Sequence, residues 1–491
     1  MSLPRRSQSA LEYMMTYGWA ILVIVIVAAV LYSLGIFSPS SSLSTTITGF
    51  SNLGTVNAVC LGGTSFTISM GDSTGYSINI TQINLTSSSG KTTYSPNILI
   101  QPNSIQTVTV PSSSLCSPGA RYSVSAVISY LEPGQILPGP YTSTGTVAGT
   151  AASPPSSATS YEPLTIANTQ NQGTPSPFQQ MINVTSSSPG WAGISSSPFG
   201  QNVEFFSATG QILDSWLENY TSTHAIWWVK LTSSIPAGSK QTIYMGFAPT
   251  STNLFNTNNV GEAPQLSSIY AEYDDGANVF IQYGGKSWSS FTFVGGTWTT
   301  ANGYLQQTAT TGSYSNGPAA LIESTNYSAT GQYVLGMAFN YTTEAVARLG
   351  IIAVATPITT SNVCGYRFIG QQGDNGAGFI SFLNDGVAWV VNNNYQGAVS
   401  TDYTMVITDA GGTWSGNLYL GYTESGTPLT SLAATAYTTN NAEGTNIGYV
   451  GISAAYSSSV VVANPINVMW FYMRAYPPNG VMPSVSFGSV S

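Results

Sequence analysis

The chain has 491 residues, of which only 6% are charged and 42% are hydrophobic. Ordinary soluble domains carry about 25% charged residues, so the polar surface here must come from Ser, Thr, Asn, Gln and Gly. Ten basic residues face nineteen acidic ones, for a formal net charge of −9. This excludes the basic face that nucleic-acid binding requires, and we expect no nucleic-acid partner.

The N-terminal segment combines two arginines with a long apolar run. Arg5 and Arg6 precede residues 14–37, which contain no charged residue. A helix of about 20 apolar residues spans a bilayer, and arginines before it keep the N-terminus in the cytoplasm. Glu12 lies at the start of this run, where a carboxylate is costly in lipid and therefore indicates a function.

With these features the segment resembles the precursor of an archaeal type IV pilin, with its class III signal peptide. Such precursors have a short basic leader that ends in a small residue, then Gln at the first mature position and Glu at the fifth. A cut between Ser7 and Gln8 gives this arrangement, with Glu12 fifth. The resemblance implies cleavage by prepilin peptidase and helix polymerisation, with Glu12 neutralising the freed Gln8 amine of a neighbouring subunit.

Two other interpretations of this segment remain open. An ordinary secretory signal would end near Ala28 and Ala29, although the apolar run continues to Phe37. A permanent membrane anchor would explain the arginines and the apolar run, but it gives Glu12 no role.

The cysteines and the glycosylation sequons fit an exported chain. Cys60 and Cys116 could form a disulfide within one domain and leave Cys364 odd, while three buried free thiols are the alternative. Asn-x-Ser/Thr acceptors, which predict a glycoprotein, occur at Asn79, Asn84, Asn183, Asn219, Asn326 and Asn340.

Beyond Phe37 the sequence pattern changes to that of β-strands. Ser38–Thr46 is a Ser/Pro connector, and apolar residues then alternate with polar ones in short runs up to Gly149. Examples are Ser65–Met70 and Tyr122–Ile128. Period-two runs with a turn every 8–15 residues predict an immunoglobulin-like β-sandwich, followed by a second linker rich in Pro and Ser.

The next segment resembles an uncharacterised surface domain of prokaryotic secreted proteins, a domain of unknown function. The resemblance rests on Trp216–Glu218, Ile226–Leu231, Ile235–Gly238 and Thr242–Phe247, in that order. In that family a concanavalin-like jelly roll often follows. Residues 270–487 suit that fold in size and pattern, with Tyr273–Ala277 near the start and Trp470–Arg474 and Pro477–Gly480 near the end.

The sequence offers little for catalysis. His224 is the single histidine and precedes an apolar strand, so we interpret it as a loop residue. Glu272, Asp274 and Asp275 form the best acidic cluster; it is interpreted first as a turn, then as a calcium site, and last as a catalytic pair. We expect a non-enzymatic protein, with calcium as the one cofactor that these oxygens would suit.

The aromatic content of 12% indicates another function. Indole rings stack on sugar rings, so four tryptophans of the last domain are candidates for a glycan site, with core packing as the alternative for each. They are Trp288, Trp298, Trp389 and Trp414.

The sequence therefore predicts a mainly β fold: a long N-terminal hydrophobic α-helix, then an immunoglobulin-like β-sandwich, then larger concanavalin-like or jelly-roll-like β-sandwich domains. The predicted segments are a leader (1–7), the pilin helix (8–40), the immunoglobulin-like sandwich (41–150), a linker (151–160), the uncharacterised surface domain (161–265) and the jelly roll (266–491).

The predicted function is that of a structural subunit of an archaeal type IV pilus-like extracellular filament, whose outer β domains serve adhesion or glycan and surface binding. Its partners would be its own copies through the N-terminal helix, prepilin peptidase with the pilus assembly machinery, the membrane before assembly, and a glycan or host surface. The alternative is a membrane-anchored, lectin-like cell-surface protein that does not polymerise.

Overall fold

The computed structural model describes residues 45–255, 291–294, 297–301, 304–307, 319–323, 332–341, 347–354, 366–371, 379–384, 388–393, 395, 398, 400–410, 413–424, 426–435, 449–456 and 466–490. The chain forms two compact units, the first ending at Ala152 and the second beginning at Ser153.

The described part of the first unit, from residue 45 on, contains nine strands in two sheets. They are β1 (Thr46–Gly49), β2 (Leu53–Leu61), β3 (Ser65–Asp72), β4 (Ile78–Thr86), β5 (Lys91–Tyr94), β6 (Ile98–Ile100), β7 (Ile105–Pro111), β8 (Arg121–Leu131) and β9 (Tyr141–Thr150). One sheet has the order β1-β9-β8-β4-β5 with β6 beside β4, and the other has the order β2-β3-β7. Along β8 burial alternates residue by residue, as a strand with one face in a core requires.

A disulfide and an aromatic pair fix the core of this unit. Cys60 on β2 is bonded to Cys116, with the two Cα atoms 6.5 Å apart. The rings of Phe66 on β3 and Tyr122 on β8 meet edge to face, with their centroids 6.2 Å apart. Because these strands belong to different sheets, the pair links the two layers.

The second unit begins with a small sandwich. Its strands are β10 (Ser160–Ala167), β11 (Phe178–Thr185), β12 (Val203–Ser207), β13 (Ile212–Leu213), β14 (Ser215–Tyr220), β15 (His224–Leu231), β16 (Lys240–Phe247) and, from the other end of the unit, β31 (Ser484–Phe487). One sheet has the order β13-β12-β16-β10-β31, and the other has the order β11-β15-β14. A 3₁₀ helix, Pro189–Gly193, lies between β11 and β12.

The remaining strands form a larger sandwich of two seven-stranded sheets. They are β17 (Thr292–Val294), β18 (Trp298–Ala301), β19 (Tyr304–Gln307), β20 (Ala319–Glu323), β21 (Gln332–Tyr341), β22 (Ala347–Val354), β23 (Tyr366–Gln371), β24 (Phe379–Asn384), β25 (Ala388–Asn393), β26 (Tyr403–Ala410), β27 (Thr413–Leu420), β28 (Thr430–Thr435), β29 (Tyr449–Tyr456) and β30 (Ile466–Ala475). The sheet orders are β17-β20-β29-β22-β23-β24-β25 and β18-β19-β30-β21-β26-β27-β28. Another 3₁₀ helix, Pro478–Gly480, follows β30.

The two sandwiches of the second unit pack against each other through the sheet β11-β15-β14. Trp227 lies in the core of the small sandwich, whereas its neighbour Trp228 lies in a separate apolar cluster with Trp470 and Tyr472 of β30. The rings of Trp216 and Trp470 meet edge to face at 5.5 Å in the same cluster. The uninterrupted apolar run of β15 follows from this arrangement, because both faces of the strand are buried.

These observations correct the predicted fold class. The mainly β character is confirmed. The long hydrophobic α-helix in the predicted fold class is wrong, because the described residues form strands and short 3₁₀ helices and contain no α-helix. Among the same residues, no helix is long and apolar enough to cross a bilayer. Hydropathy measures the preference for leaving water, and the described chain satisfies that preference by burying apolar residues between sheets.

The type IV pilin and transmembrane-helix assignments are therefore withdrawn. The residues on which they depended, Ser7, Gln8, Glu12 and the predicted helix at 8–40, lie outside the described residues.

Candidate functional site

Three partly exposed aromatic rings lie together at one end of the small sandwich. The rings of Phe199 and Tyr220 are stacked, with centroids 4.4 Å apart and planes inclined by 2°. Trp191 lies beside Phe199, with a centroid distance of 5.8 Å and an interplanar angle of 51°. Behind them, the buried Trp227 lies 6.3 Å from Phe199. We call Trp191, Phe199 and Tyr220 the aromatic platform.

A buried carboxyl group supports the part of the platform that carries Trp191. The backbone N–H of Gly190 donates to Glu162 Oε2 at 3.1 Å, which ties the 3₁₀ helix to β10. Glu162 is fully buried, and a Cβ atom at Gly190 would collide with its carboxyl group and with the ring of Phe247. Glycine is therefore required at 190 for this close approach.

The loop that carries Phe199 depends on the glycine that follows it. Gly200 has φ +72°, a backbone conformation that residues with a Cβ atom rarely adopt. An added Cβ would also lie 3.1 Å from Leu217 and from Trp227. The packing of the loop on these two residues places the Phe199 ring against Tyr220.

Hydroxyl groups and one imidazole lie in the chain segments next to the platform residues. Thr221 Oγ1 lies 2.9 Å from Nδ1 of His224, the first residue of β15. On the neighbouring strand end, Thr185 Oγ1 lies 2.8 Å from Ser187 Oγ. No Asp, Glu, Lys or Arg occurs in residues 185–200 or 220–224, so the surface combines apolar ring faces with uncharged hydrogen-bonding groups.

Burial raises the pKa of the Glu162 carboxyl to about 7, and the Gly190 N–H only partly opposes this. We therefore expect the free energy of unfolding of the second unit to fall as the pH rises from about 4.5 to about 7. In this interval the folded state keeps the proton that the unfolded chain releases, so the contribution of Glu162 is about −1.4 kcal/mol per pH unit. Denaturant unfolding across this pH range measures the slope.

The variant Glu162→Gln provides the control, because its neutral amide imitates the protonated acid. Its stability should be close to that of the wild type near pH 4.5, where both side chains are uncharged. Between there and pH 7 it should lose less stability than the wild type. Identical slopes for the two proteins would contradict the assignment.

A second group of polar side chains is buried where the two sandwiches of the second unit meet. Glu218, at an irregularity of β14 between Leu217 and Asn219, accepts from Trp228 Nε1 at 2.5 Å and from Thr423 Oγ1 at 2.7 Å. Its Oε1 also accepts from the backbone N–H of Glu424 at 2.8 Å.

Glu424 completes this network through two further partners. Its Oε2 accepts from Tyr472 Oη and from an Arg474 amino group, each at 2.7 Å. The Arg474 guanidinium also lies over the Trp228 ring, 4.1 Å from its centroid. Burial and the Glu424 carboxylate raise the pKa of Glu218 to about 7, against three hydrogen-bond donors. Because the Glu218, Glu424 and Arg474 side chains are buried, we interpret the network as a junction between the two sandwiches.

The four predicted glycan-binding tryptophans are not brought together in the described residues. Trp298 on β18 is partly exposed and stacks on Phe293, with centroids 5.7 Å apart. Trp389 lies on β25 and Trp414 on β27, in different sheets. Trp288 lies outside the described residues.

The predicted calcium residues Glu272, Asp274 and Asp275 also lie outside the described residues. Within the part of the chain that the structure describes, no group of three acidic, histidine or cysteine residues is placed to hold a metal ion.

The predicted glycosylation sites differ in accessibility. Asn183 on β11 is exposed, whereas Asn79, Asn84, Asn219 and Asn340 are partly buried and Asn326 lies outside the described residues. Two of these amides make hydrogen bonds as both donor and acceptor. Asn340 donates to Asp402 Oδ1 at 2.9 Å and accepts from Asn467 at 2.7 Å, and Asn84 donates to Gln82 at 3.1 Å and accepts from Thr93 at 2.9 Å.

The aromatic platform was missed by the sequence analysis, although the sequence carries a signal for it. Ser188-Pro189-Gly190-Trp191 and Ser197-Pro198-Phe199-Gly200 each place an aromatic residue within two positions of a proline and beside a glycine. Pro and Gly indicate loops, and a bulky aromatic residue in a surface loop is a candidate for binding.

Comparisons with known proteins give a family match and a viral relative. Residues 199–301 match the family described as "Domain of unknown function (DUF2341)". This match confirms the predicted domain of unknown function, although it begins and ends later than 161–265. A relative, "Uncharacterized protein 562" of Sulfolobus islandicus rod-shaped virus 1, is 31% identical over 357 residues, which are 65% of this chain. The match spans 58% of the relative's own length.

Solved structures similar to the chain include three carbohydrate-binding proteins. Lectin II from Ulex europaeus is 13% identical, with 38% of this chain and 92% of that chain covered and a TM-score of 0.29. Peanut lectin is 12% identical, with 42% and 95% covered and a TM-score of 0.30. Carbohydrate binding module CBM66 from Bacillus subtilis is 10% identical, with 38% and 96% covered and a TM-score of 0.27.

Proposed function

We propose that the protein is a non-catalytic, extracellular surface protein that binds neutral glycans through the aromatic platform. The observation that carries the proposal is the stacking of Phe199 on Tyr220, with Trp191 beside them, as three partly exposed rings. A sugar ring has one apolar face and a periphery of hydroxyls. It would place that face on the aromatic rings and keep its hydroxyls hydrated at the rim of the platform.

The charge of the site supports the choice of ligand. Residues 185–200 and 220–224, which carry the platform, contain no ammonium or guanidinium group that would select an acidic sugar. They also contain no carboxylate that would select a cationic ligand, and the nearby Glu162 carboxyl is buried beneath Gly190. The disulfide between Cys60 and Cys116 supports an extracellular location, because such bonds persist in oxidising compartments.

A glycan array followed by calorimetry on the best neutral oligosaccharide tests the proposal. We expect Trp191→Ala and Tyr220→Ala each to weaken binding by about tenfold, the effect of removing one stacked ring. Circular dichroism and thermal unfolding of each variant should be measured alongside, so that loss of fold is separated from loss of affinity.

Trp298→Ala is the matched control, because Trp298 is also a partly exposed, stacked tryptophan but lies in the larger sandwich. Unchanged affinity in this variant supports the platform. Loss of affinity in Trp298→Ala together with normal binding by Trp191→Ala would move the glycan site to the larger sandwich. Absence of binding to any neutral glycan would refute the proposal.

A second candidate is an attachment protein carried on a virus particle, favoured by the relative from a rod-shaped virus. The two candidates share the glycan site and differ in where the protein resides. Mass spectrometry of purified particles and of host envelopes, from an infected culture that produces the protein, would separate them.

A further inference from the structure

The first unit has an exposed apolar end. The loop between β8 and β9, residues 132–140, carries Ile136 and Leu137, whose residue surfaces are 99% and 74% exposed. Three more exposed apolar residues, Tyr76, Leu99 and Ile105, lie in or beside neighbouring connections at the same end. The pairing of Asn79 with both Leu131 and Leu99 places these connections together. The disulfide lies towards the other end of the sandwich. There the backbone N–H of Gly63 donates to the carbonyl of Cys116, and that of Gly62 donates to the carbonyl of Ala152.

Part of the backbone of this loop is paired within the loop or lacks a donor. Pro133, Pro138 and Pro140 have no N–H group. The carbonyl of Pro138 accepts from the Glu132 N–H at 2.8 Å, and the carbonyl of Leu137 accepts from Tyr141 Oη at 2.6 Å. Unpaired backbone groups are what makes an irregular loop costly in lipid, so these bonds lower that cost at residues 132, 137 and 138.

The side chains and charges fit the interface of a neutral bilayer. Residues 133–141 contain no charged residue, and Tyr141 at the base of the loop is partly exposed. Tyrosine is favoured at the level of lipid headgroups, with aliphatic residues deeper. The connections at this end contain two acidic residues and no Lys or Arg, so they provide no attraction to anionic lipid. These connections are residues 49–53, 72–78, 97–105 and 131–141.

We propose that this loop inserts Ile136 and Leu137 into the surface of a lipid bilayer that exposes uncharged or zwitterionic headgroups. The two aliphatic side chains enter the acyl boundary, and Tyr141 stays at the headgroups. The insertion is shallow, because β8 ends directly before the loop and β9 begins directly after it. This contact is separate from the glycan site and does not depend on it.

A fluorophore at the loop tip tests the proposal in the full-length chain. Ile136→Cys in a Cys364→Ser background is labelled with nitrobenzoxadiazole and mixed with phosphatidylcholine vesicles. We expect a blue shift of the emission and quenching by nitroxide-labelled lipid. Adding Leu137→Ser should weaken this response by about tenfold, because one aliphatic anchor is lost. Replacing part of the lipid with phosphatidylglycerol should not strengthen it.

Leu420→Cys is the matched control, because Leu420 is also exposed, at 58%, but lies in the second unit. A probe at this position should keep its emission in the presence of vesicles. Since the readout is local, membrane binding by another part of the chain cannot imitate insertion of the loop. An unchanged spectrum at position 136, or equal responses at 136 and 420, would overturn the proposal. Either result would leave the glycan-binding proposal untouched.

Discussion

Replacing Arg474 with methionine is expected to lower the free energy of unfolding of the second unit by about 3–5 kcal/mol. The guanidinium pairs with Glu424 at 2.7 Å, and both side chains are more than nine-tenths buried. Its loss leaves the Glu424 carboxylate buried without its cation and close to the Glu218 carboxyl. The contact of the guanidinium with the Trp228 ring is lost as well. Denaturant unfolding followed by tryptophan fluorescence measures the change.

Lys230→Met is the matched control for this substitution. Lys230 and Asp214 form an ion pair at 3.5 Å with both side chains partly exposed. Such a pair contributes at most about 1 kcal/mol. The double variant Glu424→Gln/Arg474→Met should recover part of the stability lost in Arg474→Met, since the stranded charge is removed. Equal small losses for Arg474→Met and Lys230→Met would show that the buried pair does not stabilise the junction of the two sandwiches.

The second large effect is expected in the first unit. Replacing Cys60 and Cys116 together by serine should reduce its free energy of unfolding by about 4 kcal/mol. The two cysteines are 56 positions apart, and chain-entropy arguments give this size for closing a loop of such length. Unfolding should be followed by a probe local to the first unit, such as hydrogen exchange of the β4 and β8 amides.

Reduction supplies an independent test of the same bond. A thiol reductant should lower the stability of the wild-type first unit by a similar amount and should leave the double-serine variant unchanged. A reductant effect of equal size on both proteins would assign the loss to something other than Cys60–Cys116.

The strands could be predicted from the sequence because their signal is local. The alternation in Ser65–Met70 and Tyr122–Ile128 corresponds to β3 and β8, and the apolar run Ile226–Leu231 corresponds to β15. In each case the preference of neighbouring side chains for a core face is enough to indicate a strand.

The candidate site could not be predicted in the same way. Its three rings come from residues 191, 199 and 220, and their contact depends on how two loops close over the end of the sandwich. The buried network likewise joins residues that lie more than 200 positions apart, Glu218 and Thr423. The helix prediction was wrong as a statement of fold class. It depended on an apolar run and on the resemblance to a pilin at residues 8–40, which lie outside the described residues.

The pairing of β31 with β10 has a consequence for biosynthesis. Leu164 to Ala167 pair with Phe487 to Ser484, so the small sandwich needs residues that a ribosome produces long after β16. Residues 248–483 must be translated in between, which takes about 10–50 s at roughly 5–20 residues per second. During this time the free edge of β10 is an unprotected strand edge open to pairing with a neighbouring nascent chain. Slow synthesis or crowded polysomes should therefore favour strand-exchanged oligomers of this protein over monomers.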